Sequence, residues 1–278
     1  MNRVGVVGWP IEHSLSPVMH NAAFQALGME DWYYDAMAVP PDIPRHAVVE
    51  PKRHGYIGLN VTVPFKQAVM RYVHPDEKAR AIGAVNTIIY EDDKGTNTDA
   101  DGLIDDLLAH DVQLKGERVI VLGAGGAARA AVYGLWQQGA YVVVVNRTME
   151  RAHDMLMQLT MTAGIRSVQA LTLDEAVEKG ASLIVNCTTA GMWPNVDTSP
   201  WVDGVAIPEG VTLYDMVYRP AQTKLMGQIE QAGGRSIGGL GMLVRQGAAA
   251  FKLWTGVEPP VDVMQKAAAE ALAARESH

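Results

Sequence analysis

Cysteine is nearly missing: Cys187 is the single one in 278 residues, so no disulfide can form within the chain, and a reducing compartment, by default the cytoplasm, is the expected home. Long apolar runs are missing as well. The longest, AYVVVV (Ala140 to Val145), is far too short to cross a bilayer. The first residues, MNRVGVVGWP, have no extended apolar stretch and no small-residue cleavage site, so no signal peptide is expected. Positive charge is in short supply: 23 basic residues face 31 acidic ones, for a formal net charge of -8. Such a surface does not attract a polyanion, which excludes nucleic acid as the expected partner, although local cations can still hold a small anion. Internal repeats and low-complexity linkers are also absent. What remains is 48% apolar and 19% charged, the profile of a globular chain long enough for one large or two medium domains.

The pattern along the chain is α/β. VGVVG (Val4 to Gly8) reads as a buried strand. Ser16 is then a candidate N-cap, with Pro17 at the first helical position and Gly28 as the stop. WYYDAMAV reads as a strand, PDIPRHAVVE as a helix begun by prolines, and YIGLNVT as a strand. PFKQAVMRYV reads as a helix start, and AVNTIIYED as a strand that turns at Lys94-Gly95. After the helix DGLIDDLLAHD comes RVIVLGAGGAARAAVYGLWQQGAYVVVVNRT, a strand, glycine-rich turn, helix and strand that make one βαβ unit. Helices are expected near Glu150 to Met161 and Asp174 to Lys179, and strands at SLIVNCTTAGM and TLYDMVY. Two terminal helices, LGMLVRQGAAAFKLWTG and PVDVMQKAAAEALAAR, are expected to return to the first domain. This predicts two α/β domains, at 1–100 and 101–238, with helices over 239–278 and a cleft that suits a small-molecule site.

GAGGAAR follows a strand and opens a helix, which is the context a dinucleotide-binding loop requires. Gly123 permits the tight turn, Gly125 lets the backbone approach a pyrophosphate, and Ala128 allows close helix-strand packing in place of a third glycine. Ala124, Gly126 and Ala127 complete the loop and the helix N-terminus, which offers free N–H groups to phosphate. An NAD site carries an acid at the end of the second strand. This chain has Asn146, Arg147 and Thr148 there, and Arg151 one turn later. Two guanidiniums and a hydroxyl suit a 2′-phosphate, so NADP is favoured over NAD. The bland alternative is a pair of solvated arginines at a helix start.

The first domain repeatedly places polar groups at strand ends: Ser14 and Ser16, then Asn60, Thr62 and Lys66, then Asn86 and Thr87, then Asn97, Thr98, Asp99 and Asp101. Hydroxyls and amides suit a polyhydroxylated ligand, and a cation suits its carboxylate or reacting oxygen. Singly, each has a plainer role. The serines could cap a helix, Asn86 could satisfy buried backbone, Asp99 could be a turn residue, and Lys66 could be a solvated surface charge. His13 and His20 read as structural, Cys187 reads as a buried core thiol, and no metal site is expected.

Together, SLSP, NVTVPFK, GAVNT, NTDADG, GAGGAAR, NRTMER, YDMVY and GLGMLVRQGAAAF stand in the order seen in the shikimate dehydrogenases, which the chain resembles over essentially its whole length. The resemblance implies reversible reduction of 3-dehydroshikimate to shikimate with NADPH, in the pathway to aromatic amino acids. It implies that Lys66 and Asp99 are catalytic and that Ser14, Ser16, Asn60, Thr62, Asn86, Tyr218 and Gln246 contact substrate. Met216 and Gly239 would lie beside the cofactor, with Glu77 near it. A monomer or homodimer is expected. A quinate/shikimate dehydrogenase of broader specificity, an idle NADP-binding regulatory homologue, and a Rossmann reductase for another small acid are the competing readings.

Overall fold

The structure, a computed structural model, describes residues 1–276. The chain divides into two compact units, Met1–Gly102 together with the segment from Leu243 onward, and Leu103–Met242.

Unit 1 begins β1 (Asn2–Gly8), α1 (Ser16–Ala26), β2 (Trp32–Ala38), α2 (His46–Arg53) and β3 (Tyr56–Val61). It continues with β4 (His74–Pro75), α3 (Glu77–Ile82), β5 (Thr87–Ile89) and β6 (Lys94–Thr96). The sheet order is β2-β1-β3-β5-β6-β4. β1 lies parallel to β2 and β3, while β5 runs antiparallel to β3 and β6. One face packs on α2 through Ala47, Val48, Leu59, Phe65, Val69 and Ile88. The other carries an aromatic cluster: Phe24 of α1 lies 4.9 Å from Phe251, and the Trp254 indole donates to the Ile88 carbonyl at 3.0 Å. Phe251 and Trp254 belong to α9 (Leu240–Thr255), and α10 (Val261–Glu276) lies against α1. Burying each such aromatic contributes on the order of 1.5–3 kcal/mol.

Several local expectations for this unit need correction. α1 has Leu15 as its N-cap, and it is the Ser14 hydroxyl that accepts the Ser16 N–H (3.2 Å), so the Ser16 hydroxyl is not used in capping. α2 starts only at His46, because the prolines of PDIPR occupy the turn before it. PFKQAVMRYV yields a turn and then a short 3₁₀ segment, Ala68–Tyr72. The Lys66 carbonyl accepts the Val85 N–H at 2.8 Å and is lost to a continuing helix. The expected turn at Lys94-Gly95 falls inside β6, since both residues pair with β4 and β5. The reversal is made just before, with Asp93 in the left-handed region at φ 54°.

Between the units' strands the chain forms α4 (Asp99–Ala109). Unit 2 then has β7 (Arg118–Leu122), α5 (Gly126–Gln137), β8 (Tyr141–Val145), α6 (Met149–Ala163), β9 (Gln169–Ala170) and α7 (Leu173–Glu178). β10 (Leu183–Asn186), β11 (Thr212–Asp215), α8 (Lys224–Gln231) and β12 (Arg235–Gly238) complete it. The strand order β12-β11-β10-β7-β8-β9 is wholly parallel and is that of a dinucleotide-binding doubly wound sheet. Successive residues point to opposite faces, and both faces are buried. Val119, Val121, Val142, Val144, Leu183 and Val185 join one core with α5 and α6, while Ile120, Leu122, Ile184 and Leu213 join the other with α7 and α8. That is why these strands read as continuous apolar runs. Cys187, expected as a core thiol, lies just past β10 and is only half-buried. Among the described residues, no helix is long and apolar enough to cross a membrane.

Candidate active site

In unit 1 the polar residues singled out in sequence converge on Asn86 and Asp99. Lys66 lies in the turn after β3, fixed by the buried Phe65 beside it and by its own carbonyl bond to Val85. Its ammonium donates to Asp99 Oδ2 at 2.7 Å, and the two side chains are 15% and 4% exposed. A pair this buried is costly to break, about 3–5 kcal/mol, because removing one partner strands the other's charge. Asp99 opens α4, where its N–H donates to Asn97 Oδ1 at 3.0 Å, and its Oδ1 accepts from Asn86 Nδ2 at 2.9 Å. Asp101, two residues on, points outward to Lys78 and is 56% exposed. Asn86 Nδ2 also meets Thr98 Oγ1 (2.9 Å) and Gln246 Oε1 (3.3 Å), which brings α9 to the same point. Thr98 fixes that helix further by donating to the Gln246 carbonyl at 3.0 Å.

Asn60, one residue before the end of β3, lies beside these groups, and its Nδ2 donates to the Asn86 carbonyl and to Thr87 Oγ1, both at 3.2 Å. Thr62 is half-buried in the following turn. Ser16 is 5% exposed and Ser14 half-buried. The loop that carries the serines is tied down by Arg275 of α10, which donates to the His13 carbonyl at 2.6 Å. Glu77, by contrast, is an exposed first-turn residue of α3 behind the true N-cap Asp76, and it joins no part of this network. Sequence reasoning passed over Tyr34, whose hydroxyl donates to Asn60 Oδ1 at 2.8 Å. Its place in an apolar-looking strand gave no signal.

In unit 2 the glycine loop joins β7 to α5 at the carboxyl end of the sheet, where the strand order reverses. Gly123 has φ +112°, closed to L side chains, and a Cβ there would press on Thr188 Cγ2 at 3.3 Å. Gly125 is the N-cap of α5, with nothing within 4 Å of where a Cβ would stand. That leaves its backbone, with Ala124, Gly126 and Ala127, approachable by a phosphate. At the next strand end, Asn146 donates to the Thr148 carbonyl at 2.7 Å, and Thr148 caps α6 by position without using its hydroxyl. Arg147 and Arg151 are exposed, and neither forms an ion pair among the described residues. Two uncommitted guanidiniums, a free hydroxyl and an open helix N-terminus fit a phosphorylated dinucleotide.

The loops after β10 and β11 are held by Asp215, which sequence analysis did not single out. It accepts from Asn186 Nδ2 (2.9 Å), Thr223 Oγ1 (2.7 Å) and the Val217 N–H (3.0 Å). Burial pushes its carboxyl pKa up, against the pull of those three donors. Met216 and the half-buried Tyr218 follow. A side chain at Gly239 would overlap the Met216 backbone, with its Cβ 2.6 Å from the carbonyl carbon, so this approach requires glycine. A groove of about 570 Å³ at the amino-terminal ends of β7 and β8, lined by Arg118, Tyr141 and Lys179, contains none of these residues. It lies at the wrong end of the strands for this fold's ligands.

Family models match three segments: a shikimate dehydrogenase substrate binding domain at residues 6–88, a shikimate/quinate 5-dehydrogenase at 106–193, and a shikimate 5′-dehydrogenase C-terminal domain at 239–269. The NADP(+) shikimate dehydrogenase of Methanocella arvoryzae is 43% identical over 98% of this chain and 100% of its own. The chain belongs to the shikimate dehydrogenase family. A shikimate dehydrogenase crystallised with NADP+ superposes with TM-score 0.88 at 36% identity, covering 98% of this chain and 96% of that one. The Thermus thermophilus enzyme in complex with NADP(H) and shikimate gives 0.86 at 38% identity, covering 98% and 100%.

Proposed function

We infer that this family member is an NADP-dependent shikimate dehydrogenase that interconverts 3-dehydroshikimate and shikimate in the pathway to aromatic amino acids, with Lys66 and Asp99 handling the proton. The observation that carries the assignment of roles is the buried Lys66–Asp99 pair at 2.7 Å, at the centre of a polar cluster. Bound NADPH supplies the hydride. Reduction builds negative charge on the substrate carbonyl oxygen, and the Lys66 ammonium stabilises that charge and holds the proton it receives. An ammonium has three donors. Asp99 takes one and aims the other two at substrate oxygens. Ser14 and Ser16 suit the substrate carboxylate. Thr62, Asn86, Gln246 and Asn60 present amides and a hydroxyl to the ring hydroxyls, and Tyr218 is assigned a further substrate contact. The glycine loop, Arg147, Thr148 and Arg151 hold the cofactor phosphates, with Met216 and Gly239 beside the nicotinamide. Glu77, exposed in the first turn of α3, is assigned a place near the cofactor by the family resemblance. A cytoplasmic location follows from this reading.

Initial rates followed by nicotinamide absorbance test it, with shikimate and quinate each crossed with NADP+ and NAD+. Rapid reduction with shikimate and NADP+ alone is expected. Comparable rates with quinate would move the chain to the broader-specificity relatives, and no turnover would leave an idle homologue.

A further inference from the structure

We propose that Tyr34, a strand residue outside the expected site, is a positioning residue for the Lys66–Asp99 pair and acts through a one-way chain of hydrogen bonds. The proposal rests on the reading above that this pair handles the proton.

The orientation of both intervening amides is fixed by groups that can play only one role. Asn60 Nδ2 lies 3.2 Å from the backbone carbonyl of Asn86, which can only accept. Nitrogen therefore belongs on that side, Oδ1 faces the Tyr34 hydroxyl at 2.8 Å, and the tyrosine must donate. Asn86 Oδ1 lies 2.8 Å from the backbone N–H of Thr98, which can only donate. Asn86 Nδ2 is thereby turned to Asp99 Oδ1 at 2.9 Å. Thr87 joins the two amides, its hydroxyl accepting from Asn60 at 3.2 Å and donating to Asn86 Oδ1 at 3.0 Å. The donors run from Tyr34 through Asn60, Thr87 and Asn86 and end on a carboxylate, which can only accept. Each member is 5% exposed or less, so solvent does not compete.

Bonds aligned head to tail in a dry interior polarise one another. Amide groups do not relay protons readily, so the chain orients and polarises Asp99 without serving as a proton wire. It holds Oδ1 and leaves Oδ2 for Lys66. The origin of the chain is itself immobilised: the Tyr34 ring stacks on His20 at 4.2 Å with planes 5° apart, and Trp254 lies 6.1 Å away. The hydroxyl cannot swing without moving that cluster.

Tyr34→Phe keeps the ring and the stack and removes only the donor. The kcat for shikimate oxidation should fall by about fivefold, the value of one buried hydrogen bond, while the KM for NADP+ stays within about twofold. Thr87→Val cuts the chain in the middle, and Thr87→Ser keeps its hydroxyl and should retain the parental kcat. If both breaks act through one chain, the double variant Tyr34→Phe/Thr87→Val falls no further than Thr87→Val alone. Multiplying falls, or a parental kcat in Tyr34→Phe, would overturn the assignment while leaving the function standing. A parent protein that does not oxidise shikimate would overturn the functional reading and this proposal with it.

Discussion

Asn86 and Asp99 in unit 1 are 1% and 3% exposed and direct their hydrogen-bonding groups to one another, whereas Arg147 and Arg151 in unit 2 are exposed and pair with no carboxylate among the described residues. The first arrangement is suited to chemistry. Its groups are already oriented, so little reorganisation is needed when charge develops on the substrate. The second is suited to capture, since uncommitted cations attract a phosphorylated cofactor and lose nothing by letting go of an internal partner. One region should therefore control turnover and the other affinity.

The largest effect expected from breaking this division is in unit 1. Lys66→Ala, or Asp99→Ala, should lower kcat by about 10²- to 10⁴-fold, the range for a positioned acid-base group, as read by nicotinamide absorbance with both substrates saturating. Near-parental turnover in either variant would remove that residue from the mechanism.

In unit 2 the effect should be smaller and of another kind. Arg147→Ala should raise the KM for NADP+ by about tenfold, roughly 1.4 kcal/mol for one charge-assisted contact at an exposed edge, and narrow the gap to NAD+. Because these arginines are solvated, moderate salt should weaken NADP+ binding in the parent and do so less in the variant. An unchanged NADP+/NAD+ ratio would count against the 2′-phosphate assignment.

The last effect sharpens the contrast through stability and leaves turnover and affinity aside. His20 is fully buried against Tyr34, both ring nitrogens lack hydrogen-bond partners among the described residues, and burial lowers its pKa to about 3. Below the unfolded value near 6.5, the unfolded chain gains a proton that the folded one refuses, so stability falls as pH drops from about 6.5 towards 3. At pH 5 the loss amounts to about 2 kcal/mol. Urea unfolding at pH 7 and pH 5 should show His20→Phe losing less than the parent by about that amount. Equal losses would show that His20 takes a proton in the folded state.

Legibility in sequence also differed between the units. In unit 2, strands buried on both faces read as unbroken apolar runs, and a glycine loop between strand and helix has a recognisable pattern, so RVIVLGAGGAAR announced itself. In unit 1 the residues Lys66, Asn86 and Asp99 could be named, and Asp99 set beside Lys66 by the resemblance, but not the hydrogen bonds that tie this pair to Thr87, Asn60 and Tyr34. Thr87 meets Asn60 because the two are opposite each other in the β3–β5 register. Tyr34 reaches Asn60 from another strand altogether. Such pairings are set by register and crossover rather than by local composition. The helix expected at PFKQAVMRYV failed for the same reason: the Lys66 carbonyl is claimed by Val85, nineteen positions on. Asp215 went unnoticed because a polar residue closing an apolar strand reads as an ordinary strand end.

The separation of chemistry from capture is tested most directly by titrating NADPH into Lys66→Ala and following the nicotinamide fluorescence. A dissociation constant within about twofold of the parent, in a protein that no longer turns over, is the expected result. A weakening of about tenfold or more would contradict the division, because the residue assigned to the proton would then also be holding the cofactor.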